Sequence, residues 1–145
     1  MRTVIQRVAS AHVAVAGVEI GAIGQGILLL LGIEKGDTTV NSQKLLDKVL
    51  GLRIFSDAEG AMNLSLRDVE GGLLVVSQFT LAADLRKGKR PSFDSAEKPA
   101  VAKKLYDEFL SLAKDAWLNT ASGQFGADMQ LTLINDGPVT FVVET

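Results

Sequence analysis

The chain has 145 residues, of which 47% are hydrophobic, and this predicts one globular domain over residues 1–145 with a substantial core. The absence of cysteine excludes disulfides, thiolate nucleophiles and zinc–sulfur sites, and is typical of a reducing compartment. A net charge of -2 predicts no general affinity for nucleic acid, so any such contact must be local. The sequence shows no membrane-spanning run and no signal peptide, so we expect a cytoplasmic protein without membrane contact.

The first third of the chain is predicted to form antiparallel strands. Alternating apolar residues predict strands over 3–9, 12–16 and 18–21, with Gly17 in the turn before the third. The apolar run over 27–33 predicts a further, buried strand.

Two helices are predicted from the 3.6-residue spacing of apolar side chains. The first begins near Thr39 and can be closed by Gly51, and the second carries Pro99 in its first turn, where proline is tolerated. The residues expected on the buried faces are Val40, Leu45, Leu46, Val49 and Leu50 in the first helix and Val101, Leu105, Phe109 and Leu112 in the second.

The remaining segments predict more sheet. LRIF predicts a short strand and LLVVSQFTLAAD a buried one, while the polar segment between them is rich in turns. Two final strands are predicted over 129–135 and 139–143, with a two-residue turn signal between them at Asp136 and Gly137. The fold class is therefore α+β, a single domain with mostly antiparallel, barrel-like sheet and two main helices.

Most familiar catalytic arrangements are poorly supported by this sequence. His12 is the only histidine and lies in an alternating strand remote from the other polar motifs, which favours a structural or surface role over that of a general base. A Ser–His–Asp triad and a histidine-rich metal site are therefore not expected, and neither is a cofactor. GAIGQG is better explained by turns between strands than by a phosphate loop. If the chain is an enzyme, backbone groups or the substrate must supply much of the catalysis.

Three polar stretches occur where a purely structural chain would not need them. SQFT follows a buried strand, and from the pattern alone it is better explained as the solvated end of that strand. RKGKR, with an aromatic residue shortly after it, suits phosphate contacts and base stacking, although exposed charge runs are common. In NDGPVT, Pro138 follows the turn signal and cannot donate to a strand ladder, although an edge proline in an ordinary hairpin would also explain it.

The polar stretches occur in an order that carries a family resemblance. SQFTL, ADLRKGKRPSF, SGQFGADM and NDGPVT together closely resemble the D-aminoacyl-tRNA deacylase family. The resemblance extends to VIQRV, LRIF and GAMNLSLRDV, so it covers essentially the whole chain. Two positions depart from the family pattern. Ala82 stands where a larger residue is expected, which could alter the pocket wall, and Ser122 stands where threonine is common.

The resemblance implies a homodimeric enzyme that cleaves the ester between a D-amino acid and the terminal adenosine of tRNA. It implies a cis bond between Gly137 and Pro138 that reaches into the partner subunit's active site and excludes L side chains. Glycine has no side chain to exclude, so glycyl-tRNA is also expected to be accepted. An activated ester needs oxyanion stabilisation and a positioned water more than a strong base. The 2′-hydroxyl of the tRNA is expected to help activate that water.

The resemblance and the residue types together assign roles to the site residues. Backbone N–H groups near Gln78 and Phe79 are expected to be oxyanion donors, and Thr80 is a competing nucleophile without a visible base. The expected catalytic residues are Gln78, Phe79, Thr80, Gly137 and Pro138; the substrate contacts are Ser77, Phe125, Met129, Val139 and Thr140; the tRNA phosphate contacts are Arg86, Lys87, Lys89 and Arg90.

Two functions of other classes remain compatible with the sequence. A non-catalytic nucleic-acid-binding module would use the same basic loop and aromatic residues. A threonine-nucleophile hydrolase of small D-amino esters would need only the pocket. An assay with aminoacylated tRNA distinguishes these two functions from a deacylase. A binding module leaves the ester intact, and a small-ester hydrolase does not depend on the tRNA.

Overall fold

The computed structural model describes residues 1–86 and 88–145. This part of the chain contains eight strands, two helices and one short 3-10 turn. The elements are β1 (Arg2–Val15), β2 (Val18–Ile23), β3 (Gly26–Gly32), α1 (Thr39–Gly51), β4 (Phe55–Ser56), β5 (Met62–Leu64), β6 (Gly72–Ser77), the 3-10 turn Phe79–Ala82, α2 (Pro99–Ala116), β7 (Thr120–Ser122) and β8 (Met129–Glu144).

The long strand β1 organises the sheet. One of its edges pairs with β8, and the other pairs antiparallel with β3 over its first half and with β2 over its second half. The predicted strands over 3–9 and 12–16 are therefore one continuous strand. Their separation was wrong because β8 supplies a partner along the whole length of β1. Ala16 and Gly17, both with positive φ, form the tight turn into β2.

The sheet continues through parallel pairs and nearly closes into a barrel. β3 pairs parallel with β6, and β6 pairs parallel with β7, a short strand that the sequence did not predict. A Cβ atom built on Gly21 in β2 would lie 2.8 Å from the carbonyl oxygen of Ser122 in β7, so the first and last strands of this series touch. The predicted barrel-like α+β class is confirmed, and four of its six strand pairings are antiparallel.

Both faces of β3 and β6 are buried, which explains their continuous apolar sequences. Alternate residues such as Leu28 and Leu74 face a small core inside the barrel, together with Val8 and Val13 of β1. The intervening residues face a larger core under the two helices. The largest side chains buried there are Tyr106, Phe55, Phe109, Ile5, Ile27, Leu29, Leu31, Leu45, Leu46, Leu50 and Leu66.

Both helices lie where the apolar periodicity predicts, and α1 has the predicted end at Gly51. Their buried faces differ from the prediction at two positions, since Val40 is 62% exposed and Val101 is 46% exposed. Ala102 and Tyr106 face the core in α2, and Val101 lies about 100° around the helix from Ala102, outside the buried stripe. No helix in the described ranges is long and apolar enough to cross a membrane.

The C-terminal segment is one strand and not a hairpin. Residues on either side of the turn signal pair with β1 and not with each other, from Met129 to Glu144. Four residues, 136–139, lie between the pairs Val8–Asn135 and Gln6–Thr140, where β1 has only Arg7 between them. The signal therefore marks a wide bulge, which we call the Gly-Pro bulge (residues 136–139). The prediction of two separate final strands was wrong, because β1 is a long-range partner that competes with the local turn.

Candidate active site

A cavity of about 480 Å³ lies at the carboxyl ends of β3 and β6. Five of the predicted site residues line it, and they come from two regions distant in sequence. They are Ser77, Gln78, Phe79, Phe125 and Met129. The parallel pairing of β3 with β6 explains this placement, because parallel strands end at the same edge of a sheet. We call this space the first cavity.

The hydrogen bonds at the end of β6 decide which backbone donors are free. The N–H of Gln78 donates to the carbonyl of Leu31 at 2.8 Å, so the expected role of this N–H as an oxyanion donor is wrong. The 3-10 turn starts at the next residue, and the first N–H groups of a helical turn have no acceptor within it. Within the described part of the chain, the N–H groups of Phe79 and Thr80 donate no hydrogen bond. These two groups are the remaining donors of the segment.

Thr80 is exposed and lies outside the lining of the first cavity. Its hydroxyl oxygen accepts a hydrogen bond of 2.6 Å from the side-chain amide of Gln78. An amide cannot remove a proton from a hydroxyl, so this contact does not activate Thr80 as a nucleophile. The geometry thus assigns the hydroxyl to holding Gln78 in place.

The wall of the first cavity is backed by a buried tyrosine. The hydroxyl of Tyr106 donates to the carbonyl of Val75 at 3.0 Å, and its ring lies 5.7 Å from that of Phe125. Burial raises the pKa of the Tyr106 hydroxyl, which therefore stays neutral. Tyr106 thus positions the Phe125 wall and does not act as a base.

Glu97 also lines the first cavity, and no sequence motif indicates it. Its N–H donates to the carbonyl of Ile33 at 3.1 Å, and one carboxylate oxygen accepts from the N–H of Lys98 at 2.7 Å. It precedes α2 in a segment with the pattern of an ordinary helix start. Only the long-range contact with the end of β3 brings this carboxylate to a mostly apolar pocket.

The Gly-Pro bulge lies away from the first cavity of its own chain. The bond between Gly137 and Pro138 is cis, as the family resemblance implies. Neither residue lines the cavity, and the same is true of Val139 and Thr140. Val139 is buried in the core, and the Thr140 hydroxyl accepts a hydrogen bond from the Gln6 side chain at 3.3 Å. The cavity residues and the residues at the Gly-Pro bulge therefore form two separate groups within one chain.

A buried arginine holds the Gly-Pro bulge. The Arg7 side chain is only 9% exposed, and it donates to the carbonyl of Ile54 at 2.6 Å and to that of Asp136 at 3.0 Å. It also lies 3.1 Å from the Asp136 carboxylate. A Cβ built on Gly137 would come within 3.1 Å of the same guanidinium. Side chain and bulge are thus packed with no room for a larger residue at Gly137.

Three of the predicted phosphate-binding residues, Arg86, Lys89 and Arg90, lie on an exposed loop, which we call the basic loop (residues 84–92). Mutual backbone hydrogen bonds of 2.8 and 3.0 Å between Asp84 and Ser92 close the base of this loop. Arg86 forms two hydrogen bonds to the Asp84 carboxylate, at 2.9 and 2.7 Å, and these hold the pKa of Asp84 at about 2. Lys89 and Arg90 are exposed, and Lys87 lies outside the described residues.

His12 lies in β1, where it pairs with Ala22 and Thr132. It lines neither the first cavity nor the neighbouring cavity beside Asp84. Its position agrees with the structural or surface role that the sequence favours. Within the described residues, no group of three or more His, Cys, Asp or Glu side chains could hold a metal ion.

Comparison with known proteins identifies the family. Residues 4–144 match the family model described as D-Tyr-tRNA(Tyr) deacylase, and the chain belongs to this family. The D-aminoacyl-tRNA deacylase of Geobacter sulfurreducens is 56% identical over 145 residues, covering 100% of this chain and 95% of the relative. That of Pseudomonas fluorescens is 57% identical, with 100% of both chains covered.

Two solved structures are also similar to this chain. One is named c-Myc DNA Unwinding Element Binding Protein, with a TM-score of 0.95, 40% identity, and 100% of this chain and 99% of that chain covered. The other is described as a probable eukaryotic D-amino acid tRNA deacylase, with a TM-score of 0.83, 20% identity, and 98% and 97% covered. At that identity the second shows the shared fold alone.

Proposed function

We propose that this chain is a D-aminoacyl-tRNA deacylase, an ester hydrolase whose single domain spans residues 1–145. It hydrolyses the ester between a D-amino acid and the terminal adenosine of tRNA, and releases the free D-amino acid and tRNA. The observation that carries this function is the first cavity, which gathers Ser77, Gln78 and Phe79 with Phe125 and Met129 in a chain that belongs to the deacylase family. The curated relatives with 56–57% identity carry the same activity in their names.

The proposed chemistry needs no strong base from the protein. Water adds to the ester carbonyl, and the N–H groups of Phe79 and Thr80 stabilise the oxyanion that forms. The carbon–oxygen bond to the ribose then breaks, and the ribose oxygen leaves with a proton. The 2′-hydroxyl of the same ribose helps to activate the water, which suits a cavity with no histidine among its lining residues. Ser77 and the side chain of Gln78 hold the adenosine or the amino group, and Phe79 or Phe125 contacts the adenine.

The second part of the site is proposed to come from a partner subunit. Gly137 and Pro138 do not line the cavity of their own chain, yet the family resemblance assigns them to the active site. They lie on β8, which pairs with β1 along one edge and carries the exposed apolar residues Ile134, Phe141 and Val142. Such an edge suits a second copy of the chain. In the homodimer, the Gly-Pro bulge of one subunit would enter the other's cavity and occupy the space that an L side chain needs.

The basic loop is proposed to bind phosphates of the acceptor stem. Lys89 and Arg90 are exposed, and no ion pair engages them in the described part of the chain, whereas Arg86 is already paired with Asp84. The substrate places the protein in the cytoplasm, where aminoacyl-tRNA is used. Glycyl-tRNA is expected to be a second substrate, because filtering by exclusion does not reject glycine.

A matched pair of D- and L-aminoacyl-tRNAs tests this function. We expect the D ester to be hydrolysed and the L ester to stay intact, measured by release of the labelled amino acid. If both esters stay intact while the tRNA is bound, the chain is a nucleic-acid-binding module, a function suggested by the basic loop and by the name of one similar structure. If small D-amino esters are cleaved as fast as the charged tRNA, the chain is a small-ester hydrolase.

A further inference from the structure

A second cavity, of about 710 Å³, lies beside the first and has no assigned role. Its volume is within the range of about 300–1,000 Å³ that is typical of small-molecule sites. Unlike the first cavity, it is lined largely by polar and charged side chains. The principal ones are Arg2, Glu34, Asp84, Arg86, Asp94 and Ser95.

The two cavities follow each other along the same two walls. One wall is the segment 78–84, which lines the first cavity at Gln78 and Phe79 and the second cavity from Ala82 to Asp84. The other wall is the segment 92–99, which lines the second cavity at its start and the first at its end. Because both cavities lie along these walls, an extended ligand can occupy them in succession.

Hydrogen bonds to the end of β3 fix the second of these walls. The N–H of Lys35 donates to the carbonyl of Ser95 at 2.9 Å, and the N–H of Glu97 donates to the carbonyl of Ile33 at 3.1 Å. The two cavities therefore keep a fixed spacing, which suits a ligand built of linked units.

Two exposed aromatic rings link the walls. The rings of Phe79 and Phe93 lie 5.1 Å apart, one on each wall, and are 59% and 40% exposed. Phe79 lines the first cavity, and Phe93 stands between two residues that line the second. Exposed aromatic rings beside a polar groove provide stacking surfaces for nucleobases.

The charges in the second cavity favour a ligand with amino groups over a phosphate. Arg2 is engaged by the Glu144 carboxylate at 2.8 Å, and Arg86 by the Asp84 carboxylate at 2.7 Å. In the described part of the chain, no cation lies within 4 Å of the Asp94 carboxylate. A free carboxylate repels phosphate and accepts hydrogen bonds from amino groups. Cytosine offers such a group, its N4 amine, and uracil does not.

We propose that the second cavity binds the cytidine that precedes the terminal adenosine of tRNA, and that Asp94 accepts a hydrogen bond from the N4 amine of its base. This inference rests on the proposed function, because the first cavity must hold the adenosine. The 3′ ends of tRNAs share the sequence CCA, so this subsite would serve any tRNA. It would add affinity for the 3′ end without selecting among tRNAs.

Short esters test the subsite without the rest of the tRNA. The substrates are the same D-amino acid esterified to adenosine, to the dinucleotide CpA and to UpA, with D-aminoacyl-tRNA as the reference. Uridine has a carbonyl oxygen in place of the amine. This oxygen and the Asp94 carboxylate are both hydrogen-bond acceptors, so they would repel each other. We expect kcat/KM for the CpA ester to be about tenfold higher than for the UpA ester.

Asp94→Asn should bring the CpA and UpA esters within about twofold of each other, since an amide can donate as well as accept. The adenosine ester should be hydrolysed as before. Asp115→Asn is the matched control, because Asp115 is exposed near the end of α2 and lines neither cavity; it should keep the preference for CpA.

The outcomes separate this subsite from the proposed function. If the charged tRNA is hydrolysed but the CpA and UpA esters react equally, the subsite is wrong and the deacylase function stands. An unchanged preference for CpA in Asp94→Asn would likewise overturn the role of Asp94. If the charged tRNA itself stays intact, the proposed function fails and the subsite fails with it.

Discussion

The Gly-Pro bulge and the basic loop are both polar segments with a positive-φ glycine, yet they are held in different ways. The bulge is tied to the body of the protein by the buried side chain of Arg7. The basic loop is closed at its base by the Asp84–Ser92 pair, and beyond it Arg86, Lys89 and Arg90 are exposed. The roles proposed for them differ in the same way, because a filter for stereochemistry has to resist displacement, whereas a phosphate-binding loop needs only charge. Substitutions should therefore affect the two segments differently.

The largest effect is expected from Gly137→Ala. A Cβ at this position would lie 2.7 Å from Cγ2 of Val139 and 3.1 Å from Nη2 of Arg7, and φ is +131°. The bulge must shift, and a shift of about 1 Å near a reacting group can lower a rate by about a hundredfold. We expect a loss of this order in kcat/KM on D-aminoacyl-tRNA, together with a lower ratio of D to L hydrolysis.

Gly88→Ala is the matched control for this prediction. Gly88 also has positive φ, +71°, but no heavy atom lies within 4 Å of a Cβ built there. Its φ is close to the left-handed region, where alanine costs only about 1–2 kcal/mol, and the new Cβ would meet no clash. Deacylation should stay within about threefold of the parent. Equal activity of Gly137→Ala and Gly88→Ala would remove the Gly-Pro bulge from the site.

The next largest effect is expected from Arg7→Lys. A lysine keeps the charge but cannot reproduce the planar fork that reaches the Ile54 and Asp136 carbonyls together. Leaving buried groups unpaired should lower the free energy of unfolding by about 3 kcal/mol. The ratio of D to L hydrolysis should fall by roughly tenfold as the bulge loosens.

The control for Arg7→Lys is Arg53→Lys, in which an exposed arginine bonds the Asn63 carbonyl at 2.7 Å. Its effect on unfolding should stay within about 0.5 kcal/mol, because exposed pairs contribute little. Denaturant unfolding and the ratio of D to L hydrolysis measure both variants. A variant Arg7→Lys with unchanged selectivity would show that the bulge does not depend on this side chain.

These predictions also show which parts of the structure follow from sequence. The helices and the strands β3 and β6 follow from local periodicity, because burial of a helix face or of both sheet faces leaves a repeating pattern. The Gly-Pro bulge does not, because its turn signal is local and the competing partner, β1, lies more than a hundred residues away. For the same reason the alternation in β1 could not show that Arg7 is buried under that bulge.

The sequence predicted five of the residues that line the first cavity, but not how the chain brings them together. Ser77, Gln78, Phe79, Phe125 and Met129 follow from the family resemblance, and the first cavity gathers them. The engaged N–H of Gln78 and the carboxylate of Glu97 depend on contacts with the end of β3, which no local pattern reveals. The second cavity depends on the same contacts.

A smaller effect is expected from neutralising the basic loop. Lys89→Gln and Arg90→Gln should each weaken tRNA binding and reduce the slope of log K against log salt by about 1, because each phosphate contact releases counterions. Arg86→Gln should change the slope less, since Arg86 is already paired with Asp84. The ratio of D to L hydrolysis should not change in any of the three.

Lys48→Gln in α1 is the control for these variants, because Lys48 is an exposed lysine on a different element. Its salt slope should equal that of the parent, measured by tRNA binding at several salt concentrations. A changed ratio of D to L hydrolysis in Lys89→Gln or Arg90→Gln would contradict the proposal that the loop contributes only to binding and the bulge to selectivity.

The smallest effect among the protein variants is expected from Thr80, whose side chain is exposed like those of the basic loop. Its hydroxyl contacts the Gln78 amide and has no base beside it in the described part of the chain, so Thr80→Val should keep deacylation within about threefold. The substrate should matter more: an ester on a terminal adenosine without its 2′-hydroxyl should react roughly a hundredfold more slowly, the usual size of general acid–base assistance. Two results together would make Thr80 the nucleophile. The variant Thr80→Val would be inactive although it folds and binds tRNA normally, and the substrate without the 2′-hydroxyl would react at the normal rate.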